Sequence, residues 1–154
     1  MGKKLSLQID GKELSKDELK KRFEELNVLC FDGELGRCGF SLFSRNISHL
    51  GWYQDRNDKN GKPKDKIWFG TSVKWTNELL EAVMVHEMIH MYVYRIEKCK
   101  YDGLLSHGRR FRRKCKQIKK AHGIDALTLP KVEFINKDFY PKLWERALLW
   151  LIDR

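Results

Sequence analysis

One stretch of this chain decides how the rest must fold. Leu79, Leu80, Val83, Met84, Val85, Met88, Ile89, Met91, Tyr92, Val93 and Ile96 recur so densely that, wound as a helix, they cover nearly its whole circumference. A helix that is apolar all round belongs in an interior, so the remaining residues have to enclose it. Thr76 precedes the run as a side-chain cap, and the helix is expected to extend to about Lys98. A length of 154 residues supports one domain, 1–154, built around that helix.

Shorter elements flank it. Leu5, Leu7 and Ile9 alternate ahead of Asp10-Gly11, which predicts a short strand and a turn. Ser15 and Glu18 form a capping box for a helix from about Lys16, whose apolar stripe is Leu19, Phe23, Leu26 and Cys30. Three short strands follow, marked by Cys38-Phe40-Leu42, Leu50-Trp52 and Ile67-Phe69. Their short connections predict a small antiparallel sheet. Another helix is expected near His107, with Phe111, Cys115 and Ile118 inward. A last helix is expected after Pro141, with Trp144, Ala147, Leu148 and Leu151 on one face.

Charge and cysteine usage narrow the function classes. No run approaches the ~18 apolar residues of a membrane span, and the Lys-rich start lacks the pattern of a secretion signal. Cys30, Cys38, Cys99 and Cys115 lie far apart without a Cys-x-x-Cys pair, and read as reduced thiols of an intracellular protein. The net charge is +10, of which the segment from Lys98 to Lys120 carries +9 through ten basic residues and one acid, Asp102. So concentrated a block points to an anionic partner, nucleic acid first.

Inside the buried helix stands His86-Glu87-Met88-Ile89-His90, the H-E-x-x-H pattern. Residues four apart lie one turn above each other, so both imidazoles can reach one ion. Glu87 is placed to reach water at that ion without ligating it, the arrangement of a zinc hydrolase. A catalytic zinc takes a third protein ligand. The candidates are Glu97, His107, His122, Glu133, Glu145 and His49. Glu97 lies two turns beyond His90, too far along the axis, and neither His122 nor His49 has a supporting pattern. His107 heads a buried stripe that should face the metal helix, and the segment 91–106 allows the chain to fold back. It is therefore the expected ligand.

His86-Glu87-x-x-His90, followed by His107-Gly108-x-x-Phe111, resembles the SprT-like (Spartan-type) metalloprotease domain family. Weaker matches run through Phe31-Asp32-Gly33-Glu34-Leu35, Arg45 and Gly51, and the resemblance covers about residues 17–122. It implies His86, His90 and His107 as Zn²⁺ ligands and Glu87 as catalytic base. Val93 and Ile96 stand where a metzincin needs Gly and His. Many relatives add a zinc ribbon on four cysteines, whereas no cysteine follows Cys115 here. Residues 124–154 are expected to form a helical extension.

The expected fold is α+β, a minimal zincin-like domain with helices packed on a small antiparallel sheet. The expected function is zinc-dependent endopeptidase, with a protein substrate that is DNA-bound or DNA-crosslinked, the latter an implication of the resemblance. Tyr101, Arg109 and His122 are candidates for stabilising the oxyanion. DNA contacts are expected along Arg109, Arg113, Lys116 and Lys120, with Arg110, Arg112, Lys114 and Lys119 on the flanks, mostly to phosphates and without sequence preference. A monomer with no membrane association is expected. The alternative is a zinc-containing nucleic-acid-binding protein without useful proteolysis, in which Glu87 would have no evident purpose.

Overall fold

Helix α2 (Asn77–Arg95) is buried along its length, with Leu79, Val83, Met84, Val85, Met88 and Ile89 fully enclosed. The Thr76 side chain accepts from the Leu79 N–H at 3.1 Å, as its position ahead of the apolar run predicts. The helix ends at Arg95 and not near Lys98; Ile96 is its C-cap. Around it the structure, a computed structural model, describes residues 4–44, 50–101 and 107–135. Arg45, His49, Asp102, Glu145 and the helix expected after Pro141 lie outside the described residues.

The chain enters through a two-stranded antiparallel ribbon, β1 (Leu7–Ile9) and β2 (Lys12–Leu14), turning at Asp10 and Gly11. Helix α1 (Lys16–Phe31) starts on the complete capping box: the Ser15 N–H donates to Glu18 Oε2 at 2.7 Å, and the Glu18 N–H to Ser15 Oγ at 3.2 Å. It stops where Asp32 takes the left-handed conformation. The buried Asn27 amide then clamps the following turn, donating to the Leu35 carbonyl at 2.9 Å and accepting from the Leu35 N–H at 3.1 Å.

The main sheet departs from expectation. It comprises β3 (Cys38–Phe43), β4 (Gly51–Gln54) and β5 (Asp65–Gly70) in the order β3-β5-β4. β4 and β5 are antiparallel, but β3 pairs with β5 in parallel, so the sheet is mixed. The reason lies in burial. β5 carries Ile67 and Phe69, both fully enclosed, and is the most buried of the three strands, as its central place requires. β4 is left at the edge, one strand removed from β3, although the connection between them is short.

Helices α1 and α2 pack on one face of this sheet, and α3 (Arg109–His122) packs on α2. α3 begins at Arg109, two residues past His107, because Gly108 is its N-cap and His107 belongs to the approach. Past Gly123 the chain returns along the core, where Val73 bridges Phe134 and the Lys74 N–H donates to the Glu133 carbonyl at 2.7 Å. The described residues thus form one small α+β domain with α2 at its centre. None of their helices is long and apolar enough to cross a membrane.

Candidate metal centre

The spacing of His86 and His90 places their rings on one side of α2, with centroids 5.0 Å apart. His107 reaches the same point from the approach to α3, its ring 4.7 Å from that of His86 and 5.1 Å from that of His90. Candidate ligand nitrogens of all three lie within 4.8 Å of one another. His86 Nε2 and His107 Nε2 are 3.0 Å apart. A tetrahedral zinc with Zn–N bonds of about 2.0–2.1 Å holds its nitrogens roughly 3.3 Å apart, so small ring rotations suffice to close the set on an ion.

The surroundings fit that use. His86 Nδ1 lies 2.8 Å from the Ala126 carbonyl oxygen, which can only accept; the proton therefore sits on Nδ1, and the Nε2 lone pair turns toward the cluster. The Phe111 ring packs 4.8, 4.4 and 4.5 Å from the rings of His86, His90 and His107, forming an apolar floor beneath all three. His86 and His107 are buried and His90 half-buried, leaving one side open. The donor set is all imidazole nitrogen in an apolar cup, which suits a borderline-soft divalent ion better than Ca²⁺ or Mg²⁺.

Glu87 is also buried, next to the cluster, and its side chain lies against β4. A Cβ on Gly51 would fall 2.7 Å from Val83 Cγ1 and 3.3 Å from Glu87 Oε1. Only glycine leaves the carboxylate its place there.

The other candidate ligands are elsewhere. Glu97 accepts from Arg110 at 3.3 Å and Arg113 at 3.1 Å. Glu133 pairs with Lys74 and Lys131 beside the Val73–Phe134 bridge. His122 ends α3, about 20 Å along the axis from the cluster end, which removes it as ligand and as oxyanion donor. Tyr101 is 78% exposed, and Arg109 is exposed at the first turn of α3, two positions beyond His107.

Residues 19–133 match the model of the SprT-like family. The chain belongs to that family. The matched range runs past residue 122, where the motif resemblance stops, and so takes in the Ala126 turn that holds His86. A search of the curated proteins finds no match. For an SprT-like chain the cluster is consistent with a metalloprotease-type domain, and its three histidines can hold a metal ion.

Within this SprT-like domain two contributors to the site are not marked as such in the sequence. One is the Ala126 carbonyl, a group every residue possesses. The other is Asp125, whose Oδ1 accepts from the N–H groups of Leu127 and Thr128 at 3.0 and 2.9 Å and whose Oδ2 meets Lys119 Nζ at 2.8 Å. These bonds shape the turn that aims Ala126 at His86. An acid two residues after the helix-ending Gly123 is a recognisable turn signal, but its link to the metal centre exists only in three dimensions.

Proposed function

We propose that this SprT-like protein is a zinc-dependent endopeptidase acting on proteins held on DNA. The observation that carries the reading is a buried carboxylate, Glu87, next in sequence to His86, one of three convergent imidazoles, on an otherwise apolar helix. Burying an acid is costly, and a purely structural ion would need ligands alone.

When bound, Zn²⁺ supplies Lewis acidity, polarising the scissile carbonyl and acidifying water. His86, His90 and His107 hold it, with Ala126 fixing the tautomer of His86. Glu87 takes the proton of the attacking water and returns it to the leaving amine. β4 leaves one edge unpaired among the described residues, and Gly51 on it adjoins Glu87. An extended peptide can add there as a further strand, held by main-chain hydrogen bonds and presenting its amide beside the base.

The test is digestion of a protein substrate by wild type, Glu87→Gln and His107→Ala, with metal content measured in each. Glu87→Gln is expected to keep its zinc and fold while losing about 10²–10⁴-fold in rate, the usual contribution of a general base. His107→Ala is expected to lose zinc. Full proteolysis by Glu87→Gln would sink the mechanism, and full zinc occupancy in His107→Ala would sink the ligand assignment.

A further inference from the structure

We infer that the outer face of the main sheet is a stacking platform for single-stranded nucleic acid. Alternation along β4 and β5 sends Tyr53, Ile67 and Phe69 toward the helices and Trp52, Gln54, Lys66 and Trp68 the other way. In the register Trp52 stands opposite Trp68, and Gln54 opposite Lys66. The two indoles stack, centroids 6.1 Å apart and planes 24° from parallel. The Trp68 N–H donates to Gln54 Oε1 at 3.2 Å, which fixes that ring, while Lys66 Nζ lies 5.3 Å from its centroid. Trp52 remains 47% exposed.

The neighbours keep the face open and make it positive. On β3 the residues beside Lys66 and Trp68 are Gly39 and Ser41, too small to cover the rings. Beyond the paired residues the hairpin continues, with the Lys64 N–H donating to the Arg56 carbonyl at 2.7 Å. The same alternation brings Arg56 and Lys64, both exposed, to the side of Lys66. Among the described residues no carboxylate pairs with these three cations.

Aromatic faces bordered by positive charge match a polymer of flat bases joined by phosphates. The bases stack on the indoles, and the cations meet the phosphates. An acidic peptide would satisfy the cations but gives the indole faces no planar partner. A duplex buries its base faces in its own stack, so the platform discriminates in favour of unpaired strands. Trp52 directly follows Gly51, which adjoins Glu87, but the alternation turns its ring to the face away from the metal helix. The inference is independent of proteolysis, because binding is read without turnover.

The experiment is an anisotropy titration of the zinc-loaded full chain with labelled oligothymidine and, separately, a labelled duplex hairpin, each at several salt concentrations. Trp52→Ala is expected to weaken oligothymidine binding about tenfold or more, the loss of one stacked base, with the salt slope and hairpin affinity unchanged. Trp52→Phe, which keeps a ring, is expected to recover most of the loss. Changing Arg56, Lys64 and Lys66 together to Gln should instead flatten the salt slope for oligothymidine. Wild-type oligothymidine affinity in Trp52→Ala overturns the inference. So does an equal loss toward the hairpin, or a Trp52→Phe variant no better than Ala. Sedimentation provides the remaining check: self-association of the wild type that Trp52→Ala abolishes would make this face an interface between copies and overturn nucleic-acid binding there.

Discussion

The orientation of His86 depends on a residue it never touches. Asp125 ties down the turn whose Ala126 carbonyl receives the His86 Nδ1 proton. Replacing Asp125 by Ala frees that turn, and outer-shell losses of this kind typically cost about 10–100-fold in metal affinity. Competition against a chromophoric chelator should show the drop while all three imidazoles remain. The same side chain carries a pH signature. Burial alone would raise the Asp125 carboxyl, but Lys119 and the N–H groups of Thr128 and Leu127 outweigh it and hold it below its ordinary value of 3.8. A depressed carboxyl contributes stability that is present above its unfolded pKa and lost as pH falls through the folded one. The Tm gap between wild type and Asp125→Ala should therefore be full above about pH 5 and narrow as pH falls from there through the depressed pKa. At this scale the histidine cluster was legible because the i, i+4 spacing of His86 and His90 and the placing of His107 four residues before Phe111 are properties of the chain itself. Ala126 and Gly51 were not, since a carbonyl and a missing side chain acquire meaning only from what approaches them.

Between elements, the connection that fixes the sheet against the metal helix is ionic. Arg95, the last residue of α2, donates from Nε to Asp65 Oδ2 at 2.9 Å and from Nη2 to Asp65 Oδ1 at 2.7 Å. Its Nη2 also donates to the Arg56 carbonyl at 2.9 Å, binding the β4–β5 loop. Tyr53 adjoins the pair, and burial and the Asp65 charge push its phenol well above the ordinary range. The Asp65 side chain is only 1% exposed, so Arg95→Met leaves a buried carboxylate unpaired. Such a loss costs about 3 kcal/mol or more, which urea unfolding should resolve; adding Asp65→Asn should recover part of it. The N-caps and apolar residues of α1 and α2 were readable because a helix is written in neighbours three and four apart. The insertion of β5 between β3 and β4 was not. Strand signals of four to six residues report burial but name no partner, so short links suggested a meander.

For the molecule as a whole, the question is how much of the +10 charge is left for a partner. Of the eight basic residues on α3, five have internal tasks. Arg110 and Arg113 meet Glu97, and Arg112 donates to the His107 carbonyl at 3.0 Å, bracing the metal ligand. Lys114 lies 4.2 Å from the Tyr92 ring centroid, and Lys119 holds Asp125. Arg109, Lys116 and Lys120 have no such partner among the described residues, and at i, i+7 and i+11 they line one exposed stripe. The stripe begins beside His107, so a phosphate backbone lying on it would hold an attached protein near the metal centre and raise its local concentration. Because Arg110 and Arg113 sit in half-exposed ion pairs worth little, they can exchange Glu97 for phosphate without much loss. Arg112 cannot be spared in this way, since neutralising it disturbs the His107 loop as well as the charge. The discriminating variant is accordingly Arg109, Lys116 and Lys120 changed together to Gln. Each phosphate contact contributes about 0.9 to the slope of log affinity against log salt, so this variant should lower the slope on duplex DNA by roughly 2–3. Its zinc content should not change. An unaltered slope would make the stripe a solvated helix face.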